Sequence, residues 1–214
     1  MDERAQRDTG SSGGPGPCHT LTVGPSPLAA STNQVQSAQP MAIERSNRPV
    51  GAARIATTAQ ELLDASTLCT IATVTAAGRA HINTAYFAWS PAFDIVWMSE
   101  PRARHSRNLR ANDSVAIAVY DSSQSWGMPD RGIQLFGSAR EVRGENARQA
   151  QTLYAKRFPD FAEADLSAYR FYFFRPCRLK LFDERALGAG TFVTARMARD
   201  RRPVWERTEI YSGA

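Results

Sequence analysis

The sequence lacks several features whose absence narrows its chemistry. Its three cysteines, Cys18, Cys69 and Cys177, form no CxxC pair. Neither a thiolate metal clamp nor a thiol-exchange motif is therefore present, and a reducing, cytoplasmic setting is expected. The three histidines, His19, His81 and His105, lack the i, i+4 partner of a helical zinc site, so no metal ion is expected. No stretch approaches the roughly 20 apolar residues that cross a bilayer. Leu21, Thr22 and Val23 end at Gly24-Pro25, too short an apolar core for a secretion signal. No G-x-x-x-x-G-K-[ST] loop occurs, and Gly188-Ala189-Gly190 lacks the third glycine of a dinucleotide fingerprint. Gly10-Ser11-Ser12-Gly13-Gly14 fits the G-x-S-x-G nucleophile pattern, yet has neither a strand before it nor a helix after it.

What is present is a basic chain of 214 residues with net charge +5 and a pI near 9.4. Its arginines are dispersed, without a helix-turn-helix, zinc or RNP pattern, so no nucleic-acid partner is expected; the charge suits an anionic cofactor or substrate. The length suits one domain with a real core. Residues 1–50, rich in Gly, Ser, Pro, Thr and Gln, read as a disordered tail. Within it, Met41 is expected to be the natural start of translation. A domain is expected over residues 51–185 and a C-terminal extension over 186–214.

Thr57 with Gln60, or Thr58 with Glu61, forms a capping-box pattern that predicts the start of a short helix. Alternating segments follow at 68–75, 80–88 and 93–99, separated by turns at Gly78 and Pro91. A short helix is predicted at 102–111, after Pro101 and before Asn112-Asp113. Further strands are predicted at 114–120, 132–142, 166–175 and 178–182, and an amphipathic helix at 145–157. The expected fold class is mainly β (α+β): a six-stranded antiparallel split barrel with a few short flanking helices.

The chemistry concentrates where the strand ending Trp97-Met98-Ser99 runs into the basic segment Arg102-Ala103-Arg104-His105-Ser106-Arg107-Asn108-Leu109. Free N–H groups of a helix start, the Ser99 hydroxyl, Arg104 and His105 suit one phosphate. A solvated basic helix capped by Ser99 explains the same residues equally well.

A resemblance decides between them. The series Leu68 to Val74, Gly78, His81-Ile82-Asn83-Thr84-Ala85-Tyr86-Phe87, Trp97-Met98-Ser99, Arg104-His105, Arg107-Asn108-Leu109, Val115 to Tyr120 and Gln134 to Ala139 resembles the pyridoxamine 5′-phosphate oxidase family of FMN-binding split barrels. The likeness spans roughly residues 62 to 182. It implies a homodimeric, FMN-dependent oxidoreductase acting on a small molecule, with NAD(P)H as a possible electron donor. It also implies that Ser99, Arg104 and His105 hold the FMN phosphate. Asn83, Thr84, Ala85 and Tyr86 would lie along the flavin beside Met98, and Trp126 and Gln134 would reach a flavin bound mainly by the partner subunit.

Departures from the family pattern carry information too. His105 stands where the family has Lys, and Asn83 and Ala88 stand where vitamin B6 oxidases carry Arg and Lys. The Trp-Arg substrate signature is missing near Arg175 to Leu181. Pyridoxamine phosphate is therefore not the expected substrate, and the deazaflavin F420 is an alternative cofactor. A non-catalytic flavin- or haem-binding barrel is the competing reading, with only His81 or His105 as axial ligand. Trp89, Trp97, Trp126 and Tyr86 suit either a flavin pocket or core packing. His81 is expected to make a surface hydrogen bond and Asp121 to end a strand. Catalytic residues are unassigned, because a flavin brings its own two-electron chemistry.

Overall fold

Residues 42–163 and 166–212 are described by the structure, a computed structural model. The expectations for residues 1–41 lie outside that range. Strict alternation of buried and exposed positions in β2 (Leu68–Val74) and β5 (Ser114–Tyr120) is the signature of strands with one face on a core. With β3 (Ala80–Trp89), β4 (Ile95–Ser99), β6 (Arg131–Glu141) and β7 (Arg170–Asp183) they close a ring. The antiparallel order is β2-β3-β4-β7-β6-β5 and back to β2. The expected six-stranded barrel is thus present, and closure leaves none of these six strands a free edge.

Three strands lie beyond it. β8 (Thr191–Met197) pairs with the far half of β7, β9 (Pro203–Ser212) with β8, and β1 (Ala42–Ser46) with β9. The C-terminal extension forms a hairpin of the sheet, and Ala42–Ser46, expected within the tail, is its outermost strand. β7 corrects a second expectation. It runs unbroken through Pro176 where two strands were predicted, and residues 166–169 lie outside it. Proline supplies no N–H to a ladder, and the strand accommodates it with a register shift opposite Phe136 and Gly137. Gly137 is required there, because a Cβ would lie 2.0 Å from the Arg175 carbonyl oxygen.

Ile71, Phe87, Ile95, Trp97, Ile117, Leu135, Phe174 and Leu181 fill the barrel. Helix α1 (Ala52–Asp64) buries Ile55, Ala59, Leu62 and Leu63 against the same core. It starts at Gly51 without a side-chain cap, so the capping-box pattern is not used: Thr57 and Thr58 sit inside the helix and Thr58 is buried. Helix α3 (Gly144–Arg157) covers the outside of β3, β4 and β7 through a second cluster of Ala88, Val96, Val142, Ala150 and Tyr154. Its Arg157 lies over the Phe87 ring at 4.4 Å and donates to the carbonyls of Leu63 (2.9 Å) and Ser66 (2.6 Å), satisfying the end of α1. A short 3-10 helix (Pro159–Glu163) and α4 (Glu184–Leu187) complete the elements. Asp183 caps α4 and receives a 2.8 Å ion pair from Arg131.

Candidate functional site

Alternation along β3 divides the predicted flavin strand. Asn83 and Ala85 pair with Ile71 and Cys69 on the barrel side, whereas Thr84 and Tyr86 point outward. Thr84, Thr70, Ala118 and Gln134 are successive register partners and form one outward row across four strands. Thr84 and Gln134 end that row about 14 Å apart, three strand spacings. The next row carries the exposed Tyr86 and Leu68, with Tyr120 beyond them. Tyr86 makes an edge contact with Phe158 at 5.8 Å. Thr84, Thr70, Ala118, Tyr120 and Asp121 border a groove of about 360 Å³. At its rim the loop between β5 and β6 leaves Trp126 fully exposed. The base of that loop is fixed: the Gln124 side chain accepts from the Arg131 N–H (2.7 Å) and donates to the carbonyls of Asp121 (2.9 Å) and Arg131 (3.0 Å). Asp121 ends β5 as expected and accepts from Ser123. The other tryptophans are structural: Trp97 is buried and stacked on Tyr172, Trp89 donates to Asp64 at 3.0 Å, and Trp205 donates to Thr208 at 3.0 Å.

The predicted phosphate residues lie where β4 runs into the next helix. Ser99 closes β4 and is buried, its hydroxyl making only a 3.5 Å contact with the Glu100 carbonyl. Helix α2 (Arg104–Ala111) begins five residues later with no side-chain cap and no acidic residue in its first turn. Ser99 is therefore not its cap. Arg104 and Arg107 are exposed, and among the described residues neither makes an ion pair. The positive end of the helix dipole and two unopposed guanidinium groups thus share one surface. Met98, on the opposite side of β4 from Trp97 and Ser99, packs with the second cluster under α3 instead of joining this group.

Beneath α2 lies a polar set that the sequence reading did not assemble. His81 Nδ1, Asn83 Oδ1, Trp97 Nε1 and His105 Nε2 are buried without a hydrogen-bond partner. Asn108 Nδ2 donates to Thr73 Oγ1 at 2.9 Å, and Thr73 donates to the His81 carbonyl at 3.4 Å. The His105 ring meets Tyr172 edge-on at 6.5 Å. Burial, reinforced by nearby His81, holds the His105 pKa below its ordinary 6.5. Burial pushes the Tyr172 phenol up, against the influence of the Ser106 hydroxyl. His81, expected to make a surface hydrogen bond, is half-buried with its Nδ1 turned inward and unpartnered. The available signal was polarity at positions 81 and 83 of a strand whose alternation sends both inward.

A family profile for pyridoxamine 5′-phosphate oxidase matches residues 55–179. The chain belongs to this family. The match takes in β2 through β6 and the first part of β7, leaving β8 and β9 outside. No curated protein matches the sequence. Among solved structures, a haem-binding protein from Mycobacterium smegmatis superposes with a TM-score of 0.55 at 21% identity, over 71% of this chain and 60% of that one. This chain thus spans less than two thirds of that protein's length. A conserved hypothetical protein from Mycobacterium tuberculosis gives 0.53 at 19% identity, over 68% and 92%. A Clostridium acetobutylicum protein related to general stress protein 26, of the pyridoxinephosphate oxidase family, gives 0.52 at 12% identity, over 69% and 97%. At these identities the likeness concerns the fold. No helix among the described residues is long and apolar enough to cross a membrane.

Proposed function

We propose that the chain is an FMN-dependent oxidoreductase that works as a homodimer on a small organic molecule other than pyridoxamine 5′-phosphate. The observation that carries this reading is the unopposed cationic start of α2. Arg104, His105 with its unpartnered Nε2, and the Ser99 hydroxyl follow one another in the chain where β4 runs into α2, in a family that binds flavin. These donors fit a phosphate: Arg104 can bind two oxygens at once and His105 a third. The outward row from Thr84 to Gln134 offers the flavin ring a flat face of small side chains. Trp126, exposed on an anchored loop, is free to close over a ring held by a partner subunit. FMN supplies two-electron transfer when bound, and NAD(P)H is the proposed donor. The chain's own residues bind and orient it and keep water off the outward face.

F420 is the second reading, favoured by a phosphate site with histidine in place of the family's lysine. A haem reading comes third, since it has only His81 or His105 to offer as an axial ligand. The test is an absorbance spectrum of freshly purified protein with mass analysis of the small molecule released by heat. Flavin bands with FMN in the supernatant support the reading, a released deazaflavin replaces it with F420, and protein that takes up neither cofactor on addition removes it.

His105 adds a prediction. Its pKa is lowered in the free protein, so at neutral pH it is uncharged, and a phosphate arriving beside it favours the imidazolium. Binding then takes up a proton, and affinity falls as pH rises, by up to ~10-fold per pH unit. Fluorescence titration of FMN between about pH 5.5 and 8 should show this fall in the native protein relative to His105→Lys. The lysine variant keeps its charge, so the comparison cancels the titration of the phosphate itself.

A further inference from the structure

A cavity of about 270 Å³ adjoins the groove at Thr84 and shares Ala65, Tyr120 and Asp121 with it. Its walls are the end of α1, the loop between β5 and β6, and Arg185 of α4. Leu62, Tyr120, Met128 and Pro129 supply its apolar surface. The loop wall is held in place, because Gln124, which lines the cavity, has its amide tied to Asp121 and Arg131.

The three charged side chains that line it are not equivalent. Arg131 is engaged by Asp183 at 2.8 Å. Asp121 and Arg185 are both exposed, and among the described residues neither makes an ion pair, with the other or with any third group. Asp121 Oδ1 accepts from the Ser123 N–H (2.9 Å) and hydroxyl (2.7 Å), which leaves Oδ2 open. Those bonds hold its carboxyl below the ordinary 3.8, so it is ionised at neutral pH. Glu184, the acid next to Arg185 in the chain, is occupied: its two oxygens accept from the Asp130 N–H (3.1 Å) and the Gly190 N–H (2.8 Å). One cavity thus presents a carboxylate and a guanidinium that do not neutralise each other. A simple anion there is repelled by Asp121 and a simple cation by Arg185, whereas a molecule with both charges at separate points meets a partner at each.

We propose that this cavity seats the substrate, and that the substrate is a zwitterion: an ammonium against Asp121, an acid group against Arg185 and an apolar body over Leu62 and Met128. That the bound molecule is the substrate rests on the FMN reading above; the binding itself does not.

The probe is L-phenylalanine, with 3-phenylpropionate and 2-phenylethylamine as the same ring bearing one charge only. Calorimetry on the full-length protein should give one phenylalanine per subunit, bound about tenfold tighter than either counterpart. Arg185→Met should bring phenylalanine down to the affinity of the amine without weakening the amine. Asp121→Asn should bring it down to that of the acid without weakening the acid. Both substitutions are at exposed side chains, and a thermal melt confirms that each variant is folded. Absence of binding to the native chain overturns the proposal, as does phenylalanine that binds no better than its singly charged counterparts. Equal loss of all three probes in a folded variant does the same. In protein loaded with FMN, phenylalanine should also shift the flavin absorbance. Phenylalanine that binds and leaves the spectrum of a bound flavin unmoved overturns the assignment as substrate, whereas a chain that holds phenylalanine and takes up no flavin overturns the FMN reading and leaves the zwitterion site.

Discussion

Replacing Arg201 with alanine is expected to destabilise the fold by about 3–5 kcal/mol, the usual result of stripping one partner from a buried ion pair. The guanidinium bridges three chain segments at once: the β3–β4 turn through Ala92 and Asp94, the β7 bulge through Pro176, and its own β8–β9 turn. Its removal leaves Asp94, which is almost wholly buried, facing only the more distant Arg175. The effect has a pH signature. Burial raises the Asp94 pKa above its ordinary 3.8 even though both arginines oppose the shift. A carboxyl raised in the folded state contributes stability below about 3.8 that is lost as pH rises through the folded value. Without Arg201 the folded value climbs further, so the loss should be largest near neutral pH and shrink toward pH 4. Urea melts of Arg201→Ala at both pH values check this, and adding Asp94→Asn should recover much of the neutral-pH loss. A loss independent of pH would mean that Arg201 acts through its two carbonyl contacts alone.

Arg104→Ala is expected to lower FMN affinity about 100-fold, the equivalent of one charge-assisted bidentate contact. The melting temperature of the cofactor-free protein should hardly move, because Arg104 is exposed and makes no ion pair among the described residues. Fluorescence titration and a thermal melt on the same sample separate the two effects. Unchanged affinity would displace the phosphate from the start of α2; a parallel loss of folding would mean that the side chain has a structural role.

The legible parts of this molecule were those in which side-chain chemistry and backbone geometry agree. β2 and β5 alternate residue by residue, and the basic helix after Ser99 shows itself by composition. The barrel and the phosphate candidates could be read from such segments. The misread parts are those where one residue does something its type does not advertise. Arg201 makes a tight turn in the left-handed region that glycine or asparagine usually takes, so Asp200 and Pro203 were the only turn signals between β8 and β9 and the hairpin went unseen. Pro176 reads as a strand breaker, yet Gly137 opposite lets β7 continue past it. Thr57 and Thr58 look like helix caps, but helix α1 extends N-terminally through Ala52-Ala53-Arg54 because its buried stripe, beginning at Ile55, reaches the barrel. Within the site, the row joining Thr84 to Gln134 depends on register between strands far apart in sequence, and the polar set beneath α2 depends on closure of the barrel. Neither has a local signature.

The pairing of β1 with β9 places Ala42 opposite Ser212, so the two ends of the described unit lie one strand spacing apart. The backbone from Ala42 to Ser212 thus returns to where it began. A short glycine-rich linker could join these ends, and new termini could be opened in the exposed loop around Trp126, giving a circular permutant that keeps every strand pairing of the barrel. The same adjacency makes the pair of ends a natural reporter. Dyes placed at the two positions would register the fraying of the outer hairpin separately from the melting of the barrel behind it.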